Sequence, residues 1–361
     1  MWAELQVSLD PCIPFALPSD EVSRLRGDMI PQPYLIFVGD LPRSNATKTA
    51  LGVRDWAPEA CLAQWRLSPA AVDLGLPDLE PAAAFAAGAR SVLLGVAPIG
   101  GQLPNEWIPH LVRGLEAGLD LVSGLHTRLA SISPIAETAA RLGRSLYDVR
   151  HSDRSFPVAT GRKRTGKRLL TVGTDCSIGK KYAALALTRA LRSAGVAADF
   201  RATGQTGIMI AGAGIAIDAV IADFVAGAAE ALSPEAAADH WDVIEGQGAI
   251  FHPAYAGVTL GLLHGSQPDA LVLCHEPARR EIASYPGFVI RPLEETLASY
   301  VTLARVTNSK AQFVAISLNT QGMPEAAARA ELSDTQKRHG LPCFDPLRFG
   351  IGDAVERIMR L

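Results

Sequence analysis

Short apolar runs alternate along this chain with longer segments in which apolar residues recur every three to four positions. The runs are rich in β-branched and aromatic residues and are bounded by Gly, Asp or Pro, as buried strands are. In the first half they predict strands over 33–39, 71–76, 91–98, 119–125 and 145–150. Helices are predicted over 105–118 and 133–143, the second with Ser133 as N-cap, Pro134 in its first turn and Gly143 at its end. This alternation indicates a parallel sheet with helices on both faces.

A polar, basic segment over 151–168 interrupts the pattern, and we interpret 156–167 as a linker. Its run GRKRTGKR is interpreted as a solvated charged stretch, with a phosphate grip as the alternative. The alternation then resumes, with a helix over 180–194 and a helical, alanine-rich stretch reaching about Ala238. Strands are predicted over 169–175, 196–204, 241–246, 269–277, 313–319 and 341–346. The second half therefore predicts another doubly wound α/β domain.

Composition narrows the class of protein. The chain has 361 residues, enough for two domains, and is 48% hydrophobic and 20% charged, as globular proteins are. Its formal charge is only −3 and its basic residues are scattered, which disfavours a nucleic acid or an anionic membrane as partner. No apolar run approaches the roughly 18–20 residues of a membrane span, and the start of the chain does not resemble a secretory signal. Five widely spaced cysteines, Cys12 included, fit neither a disulfide framework nor a metal knuckle, so we expect a cytoplasmic protein.

The most specific motif is the stretch GTDCSIGKK, which follows a predicted strand and opens a predicted helix. Its glycines allow the backbone N–H groups to curl around phosphate oxygens, and the helix N-terminus adds positive potential. Lys180 supplies a cation for the terminal phosphate. The predicted cofactor-binding residues are Gly173, Thr174, Asp175, Cys176, Ser177, Ile178, Gly179, Lys180 and Lys181. We therefore predict an α/β protein with a Rossmann-like N-terminal parallel-sheet domain over 1–155 and a P-loop-containing doubly wound domain over 168–361.

Two departures from the common phosphate loop bear on its chemistry. The spacer between Gly173 and Gly179 is one residue longer than usual, and Lys181 stands where Ser or Thr ordinarily binds Mg²⁺. Without that hydroxyl, metal-assisted phosphoryl transfer is less well supported. A second cation suits a ligand with more phosphate charge, or one bound without metal.

Two known families resemble this sequence. GTDCSIGK resembles the phosphate loop of dethiobiotin synthetase, and VIEGQG (243–248) resembles that family's EGAGG, whose Glu helps to bind Mg²⁺. On this analogy Glu245 is a metal-side or substrate-side carboxylate, with a turn-stabilising role as the alternative.

A wider resemblance spans nearly the whole chain. It includes PYLIFVGD, GTDCSIGKK, TGQTGIMIAG (203–212), DFVAGAAE (223–230) and the long block 244–280. These segments are similar to the D-glutamate N-acetyltransferase family, formerly a domain of unknown function. The resemblance implies transfer of an acetyl group from acetyl-CoA to the amine of D-glutamate, with the P-loop holding CoA phosphates. An ATP- and Mg²⁺-dependent kinase or ligase of the dethiobiotin synthetase type is the alternative, and a non-enzymatic nucleotide sensor is a further one.

Acetyl transfer needs a base for the ammonium group and an oxyanion donor. Histidines follow strand ends or glycine-rich loops at His126, His252, His264 and His275. We favour His252 or His275 as the base, with Glu245 orienting it or acting in its place. Cys176 is interpreted as a small buried residue, with a covalent acetyl-cysteine, activated by the helix N-terminus, as the alternative.

The substrate carboxylates call for arginines, which pair with carboxylates through two hydrogen bonds. The candidates are Arg201 and Arg279, and Arg280 and Arg128 are further possibilities, the latter in the N-terminal domain. A surface ion pair is the alternative role of each. Gln205 and Thr206 are predicted substrate contacts in a loop facing the P-loop. Loops 95–104 and 123–128 are predicted to bring the first domain to the site. We expect a small-molecule substrate, a homo-oligomer and no metal.

Overall fold

The computed structural model describes residues 29–42, 45–98, 101–151 and 154–361. The proline-bearing start of the chain with Cys12, and residues 99–100 of the predicted loop 95–104, lie outside this range. The chain forms two compact units. The amino-terminal unit holds the described residues up to Arg154 together with Gly204–Ala219, and the carboxy-terminal unit holds Ser155–Thr203 and Val220–Leu361. The segment Gly204–Ala219 thus belongs with the first unit, although it follows the P-loop in sequence.

The amino-terminal unit is built on a parallel sheet of five strands in the order β2-β1-β3-β4-β5. The strands are β1 (Tyr34–Gly39), β2 (Cys61–Arg66), β3 (Ser91–Leu94), β4 (Asp120–Ser123) and β5 (Leu146–Asp148). The helices are α1 (Lys48–Trp56), α2 (Pro81–Ala86), α3 (Ile108–Glu116), α4 (Ser133–Leu142) and α6 (Gln205–Ala211). Helix α6 packs against α1, and the Tyr34 hydroxyl on β1 donates to the Met209 carbonyl at 3.0 Å.

The carboxy-terminal unit is built on six parallel strands in the order β11-β10-β9-β6-β8-β7. The strands are β6 (Lys167–Gly173), β7 (Ala198–Arg201), β8 (Trp241–Ile244), β9 (Ala270–His275), β10 (Gln312–Leu318) and β11 (Cys343–Phe344). The helices are α5 (Lys180–Ser193), α7 (Val225–Leu232), α8 (Ala256–Ser266), α9 (Leu293–Ala304), α10 (Glu325–His339) and α11 (Ala354–Met359). The predicted fold class is confirmed. In the part of the chain that the structure describes, no helix combines the length and the apolar character needed to cross a membrane.

The predicted strand over 71–76 is wrong. Residues 61–66 form β2 instead, and 71–76 is irregular. Its apolar residues Ala71, Val72 and Leu74 are nevertheless buried. The Leu74 N–H donates to the buried Gln64 side chain at 2.6 Å and so holds the segment against β2. The apolar run therefore reflects a packed loop, while polar residues inside β2 hide that strand from the pattern.

Three further interpretations change. Ser133 is the first residue of α4 rather than its N-cap, which is Ile132; Gly143, in the left-handed region, does end the helix. The alanine-rich stretch is two helices, because Gly212 adopts φ +76° and ends α6. The basic run 161–168 is solvated only in part: Arg162 and Lys163 are exposed, whereas Arg168, inside β6, is fully buried and donates to the Pro234 carbonyl at 2.7 Å.

Candidate active site

The candidate site lies at the carboxyl ends of the three central strands of the carboxy-terminal unit. Strand β6 lies between β8 and β9, and the strand order reverses here: the chain passes from β6 to β7 at one edge of the sheet, but from β9 to β10 in the opposite direction. Ligands bind in such open α/β sheets where the strand order reverses, beyond the carboxyl ends. Three loops start here: the P-loop, Gly173–Lys181; the β8 loop, residues 245–255; and the β9 loop, residues 276–292.

The backbone of the P-loop curls as the motif predicts. Ser177 has φ +54° and Gly179 has φ +110°, and α5 begins at Lys180 immediately afterwards. A Cβ on Gly173 would lie 2.8 Å from Ile178 Cδ1, so a larger residue would push into the loop. On the neighbouring β8 loop, a Cβ on Gly246 would overlap the Thr171 carbonyl oxygen. Both glycines therefore serve close backbone approach beneath the cradle.

Lys180 is held inside the loop that it follows. Its side chain is buried, and its Nζ donates to the Asp175 carbonyl at 2.6 Å. Burial lowers the pKa of this ammonium group, and the nearby Asp175 and Glu245 carboxylates offset that effect only in part. An anionic phosphate in the cradle would supply the missing charge.

Asp175 joins the P-loop to the β9 loop. It is fully buried, and its Oδ2 accepts hydrogen bonds from Arg279 Nη1 at 2.7 Å and from the Ala283 N–H at 2.9 Å. Its Oδ1 accepts from the Cys176 N–H at 2.6 Å. Arg279 also donates to the Cys176 carbonyl at 2.8 Å. The guanidinium is thus a second cation on the P-loop, whereas a carboxylate-binding role was predicted for it.

His275, the last residue of β9, lies against the P-loop. Its Nδ1 is 2.9 Å from Thr174 Oγ1, within hydrogen-bond distance. Burial, with help from Arg280 and Arg279, lowers the pKa of His275 to about 4. The ring is therefore neutral at physiological pH, as a general base must be before it takes a proton.

His252 on the β8 loop differs in the tautomer that its neighbours impose. Its Nδ1 accepts hydrogen bonds from the N–H groups of Ala254 at 3.1 Å and Tyr255 at 3.2 Å. The proton of the neutral ring must then sit on Nε2, which lies 3.8 Å from Asp175 Oδ1. Burial lowers the pKa of His252 as well. With Nδ1 occupied and Nε2 protonated, His252 is arranged as a hydrogen-bond donor.

Glu245, the first residue of the β8 loop, is buried beside the cradle. Its Oε2 accepts from the Thr203 N–H at 3.0 Å, and its charge acts on Lys180. Thr203 Oγ1 in turn donates to the Glu245 carbonyl at 2.7 Å and accepts from Gln247 at 3.1 Å. The carboxylate is thus fixed in orientation at the floor of the site.

The side chains of Cys176 and Lys181 have different surroundings from that of Lys180. Burial raises the pKa of the Cys176 thiol, which opposes formation of a thiolate. Lys181 Nζ lies 4.7 Å from the ring centre of Tyr182.

Three side chains at the site carry atoms that could bind a metal ion. These atoms, in Asp175, Cys176 and His252, lie within 4.8 Å of one another. In the structure the Asp175 carboxylate already accepts from Arg279 and from backbone N–H groups.

Arg201 is not placed to receive a substrate carboxylate. It is buried, its Nε donates to Asp242 Oδ1 at 2.6 Å, and its Nη2 lies 3.8 Å from Asp199. The arginine belongs to an ion-pair network between β7 and β8. The sequence pattern assigns Arg201 to the substrate, but its guanidinium is instead paired with buried aspartates.

Gln205 and Thr206 lie in the first turn of α6, not in a loop. Thr206 Oγ1 is 3.1 Å from Thr49 Oγ1 on α1, and a Cβ on Gly124 would lie 2.9 Å from the Gln205 Cβ. Both contacts are within the amino-terminal unit. Of the loops predicted there, 123–128 contacts the described part of 95–104, since the His126 N–H donates to the Gly101 carbonyl at 3.0 Å.

The two remaining candidates in the carboxy-terminal unit are His264 and Arg280. His264 Nε2 lies 3.2 Å from the Leu303 carbonyl, between α8 and α9. Arg280 is exposed on the β9 loop, close enough to His275 to lower its pKa.

Tyr300 on α9 adds a contact at the P-loop that the sequence does not predict. Its buried hydroxyl donates to the Gly173 carbonyl at 2.8 Å and accepts from the Ile250 N–H at 3.2 Å. No motif surrounds this tyrosine in the sequence, so nothing pointed to it.

Comparison with known proteins agrees with this architecture. Residues 68–152 match a family described as a domain of unknown function (DUF1611_N), Rossmann-like domain, and residues 157–355 match the DUF1611_C P-loop domain. A crystal structure of a DUF1611 family protein from Anabaena variabilis is 34% identical, with a TM-score of 0.81, covering 92% of this chain and 100% of that one.

Two curated relatives carry a functional name. The D-glutamate N-acetyltransferase of Tritonibacter scottomollicae is 47% identical over 330 residues, 91% of this chain and 99% of that protein. The D-glutamate N-acetyltransferase of a Pseudoalteromonas species is 42% identical over 329 residues, with the same coverage of 91% and 99%. The family resemblance predicted from the sequence is confirmed. The chain belongs to the DUF1611 family, as a relative of its D-glutamate N-acetyltransferases.

Proposed function

We propose that this protein transfers the acetyl group of acetyl-CoA to the amine of D-glutamate, with its P-loop holding phosphates of CoA. The acceptor follows from the names of the two curated relatives. The observation that carries the donor is the form of the cradle. Lys180 and Arg279 both direct cations onto the P-loop, while the position that ordinarily supplies a Mg²⁺-binding hydroxyl is Lys181.

This arrangement suits a phosphate that is held rather than transferred. CoA carries a pyrophosphate and a 3′-phosphate, but its reaction takes place at the thioester carbon. A loop that anchors such phosphates needs cations and backbone N–H groups and does not need a metal to stabilise a leaving phosphate. Anchoring by remote groups also positions the thioester for attack.

The transfer forms one bond and breaks another. The ammonium group of D-glutamate first gives one proton to the base and becomes a neutral amine, whose nitrogen attacks the thioester carbon to form the C–N bond. The C–S bond then breaks and its electron pair leaves on the CoA sulphur. A second proton, lost from the nitrogen as the amide forms, ends on that sulphur, and the first is released from the base to solvent. His275 is the proposed base, because its ring is neutral and hydrogen-bonded to Thr174 beside the cradle.

Burial is the main cause of the low pKa of His275, and Arg280 and Arg279 add to it. An anionic ligand beside the two arginines would offset their part and raise the pKa of the imidazole, so that it becomes a stronger base when substrate is bound. His252, with its proton on Nε2, is proposed as a donor toward the developing oxyanion or toward Asp175. Glu245 is proposed to attract the substrate ammonium group.

An ATP- and Mg²⁺-dependent ligase is the competing function. Glu245 beside Lys180, and the juxtaposed Asp175, Cys176 and His252, favour it, and Lys181 counts against it. One assay separates the two: the protein is mixed with D-glutamate and either acetyl-CoA or ATP with Mg²⁺, and free thiol and inorganic phosphate are followed. Thiol release that requires D-glutamate, without phosphate release, is the expected result.

The matched control uses L-glutamate as acceptor with acetyl-CoA. Phosphate release from ATP that depends on D-glutamate would replace the acetyltransferase proposal with the ligase. If His275→Gln retained the full rate of thiol release, the assignment of the base would be wrong while the overall reaction could still stand.

A further inference from the structure

A cluster of aromatic rings lies beside the P-loop. His252 and Tyr255 come from the β8 loop and its end, and Tyr285 and Phe288 come from the β9 loop. The ring centroids of His252 and Tyr255 are 4.6 Å apart, those of His252 and Tyr285 are 5.0 Å apart, and those of Tyr285 and Phe288 are 6.2 Å apart. The four rings therefore form one continuous group, which we call the ring cluster.

The ring cluster leads outward from the phosphate cradle. Its inner member, His252, is 3% exposed and lies against Asp175 of the P-loop. Its outer members, Tyr255 and Phe288, are 51% and 52% exposed. Half-exposed aromatic side chains next to a polar site are typical of surfaces that bind another flat or apolar group.

The backbone of the β9 loop, which carries Tyr285 and Phe288, is tied to the cradle. In the β9 loop, Glu281 and Val289 form an antiparallel bridge, and the Ile282 N–H donates to the Phe288 carbonyl at 2.8 Å. The same loop is tied to the P-loop by Arg279 and Ala283, which both donate to Asp175. A ligand held by the cradle would thus meet rings that are already in place, which lowers the entropic cost of binding.

We propose that Tyr255 and Phe288 bind the adenine ring of CoA while the P-loop binds its phosphates. This inference rests on the proposed function and adds the subsite that recognises the nucleotide end of the donor. Adenine presents a flat π-face to an aromatic side chain, and it is joined to the phosphates through its ribose, so a ring surface adjoining a phosphate cradle matches the ligand in both chemistry and order.

A truncated ligand tests this subsite directly. 4′-Phosphopantetheine keeps the pantetheine arm and one phosphate of CoA but lacks the adenosine, its 3′-phosphate and the second phosphate of the pyrophosphate. The dissociation constants of CoA and of 4′-phosphopantetheine are measured by calorimetry for the wild type, Tyr255→Ala, Phe288→Ala and the double variant. Loss of a stacked ring should weaken CoA binding roughly 5- to 100-fold and leave 4′-phosphopantetheine binding unchanged.

Val306→Ala, at an exposed apolar residue outside the three loops of the site, is the control and should leave both affinities unchanged. Tyr255→Phe and Phe288→Tyr keep an aromatic ring and should retain CoA affinity, so they separate stacking from loss of folding. Equal weakening of both ligands, or unchanged CoA affinity in the double variant, overturns the ring proposal alone. Failure of the wild type to bind CoA, together with no thiol release, overturns the proposed function and this subsite with it.

Discussion

Burial and two neighbouring arginines keep His275 neutral at physiological pH. Its pKa is about 4 in the folded protein against an ordinary value of 6.5, so between these values the unfolded chain binds the proton more readily. The contribution of His275 to stability is therefore fully present above pH 6.5 and is lost as the pH falls toward 4.

We expect His275→Gln to flatten part of this pH dependence. Relative to pH 7, the wild type should lose about 1–3 kcal/mol more unfolding free energy at pH 4.5 than the variant does. Urea unfolding of both proteins at the two pH values measures the difference. Identical slopes of stability against pH would show that His275 titrates normally in the folded state.

Two adjacent lysines follow Gly179, and the structure gives them different surroundings. Lys180 Nζ lies inside the P-loop, 2.6 Å from the Asp175 carbonyl, whereas Lys181 Nζ lies 4.7 Å from the centre of the Tyr182 ring. Because a charge-assisted hydrogen bond to phosphate is strong, Lys180→Met should raise the dissociation constant of CoA roughly 10- to 100-fold. Lys181→Met, the matched control, should produce a clearly smaller loss. Comparable losses in calorimetry would mean that both ammonium groups reach the phosphates.

At the scale of single elements, the close approach of the β8 loop to β6 depends on one glycine. A Cβ on Gly246 would overlap the Thr171 carbonyl, and neither backbone can move without disturbing β6, the strand that carries the P-loop. Gly246→Ala should cost at least about 3 kcal/mol of stability.

Gly257, in α8, provides the matched control for this change. It is exposed and no atom lies within 4 Å of its would-be Cβ, so Gly257→Ala should be neutral or stabilise by up to about 1 kcal/mol. Thermal unfolding of both variants gives the comparison. A Gly246→Ala protein as stable as the Gly257→Ala protein would contradict the packing between β8 loop and β6.

Helix α9 contributes Tyr300, whose hydroxyl joins the start of the P-loop to the β8 loop. Tyr300 is fully buried, and Tyr300→Phe leaves the Ile250 N–H and the Gly173 carbonyl without its hydroxyl as a partner. We expect the variant to fold with about 1–3 kcal/mol less stability, as measured by urea unfolding. Unchanged stability would mean that the two backbone groups find other partners.

The place of Lys180 in the site could be predicted from the sequence, whereas the contacts of Arg279 could not. The P-loop was predictable because its glycines, its lysine and the strand and helix around it are contiguous. The partners of Asp175 were not, because Arg279 and Ala283 are joined to it by tertiary folding alone. Arg201 shows the same limit, since the carboxylate that it binds, Asp242, lies on the neighbouring strand.

Strands were predictable where burial determined their composition. The central strands β6, β9 and β10 are nearly wholly buried and appear as apolar runs. Strand β2 contains the buried Gln64, whose side chain donates to Asp73, and so it lacks such a run. Hydrogen-bonded polar residues in the core, which the pattern scores as exposed, account for this error.

The chain crosses between its two units more than once. Gly204–Ala219 belongs to the amino-terminal unit, where α6 contacts α1 and the Ile30 N–H donates to the Gly212 carbonyl at 2.9 Å. The apolar side chains Ile208, Met209 and Ile210 are buried there. A fragment beginning at Ser155 would carry this segment without the residues that cover it.

We therefore expect a fragment of residues 155–361 to be poorly soluble, because the apolar side chains of α6 would face water. The same fragment with 204–219 replaced by a Gly/Ser linker of equal length should be soluble, since the two stretches of the carboxy-terminal unit stay connected while the apolar helix is removed. Soluble yield, thermal unfolding and binding of a hydrophobic dye compare the two fragments, and the intact chain is the reference. If the unmodified fragment were as soluble as the linker variant and bound no more dye, α6 would not depend on the amino-terminal unit for its burial. The assignment of Gly204–Ala219 to that unit would then have to be given up.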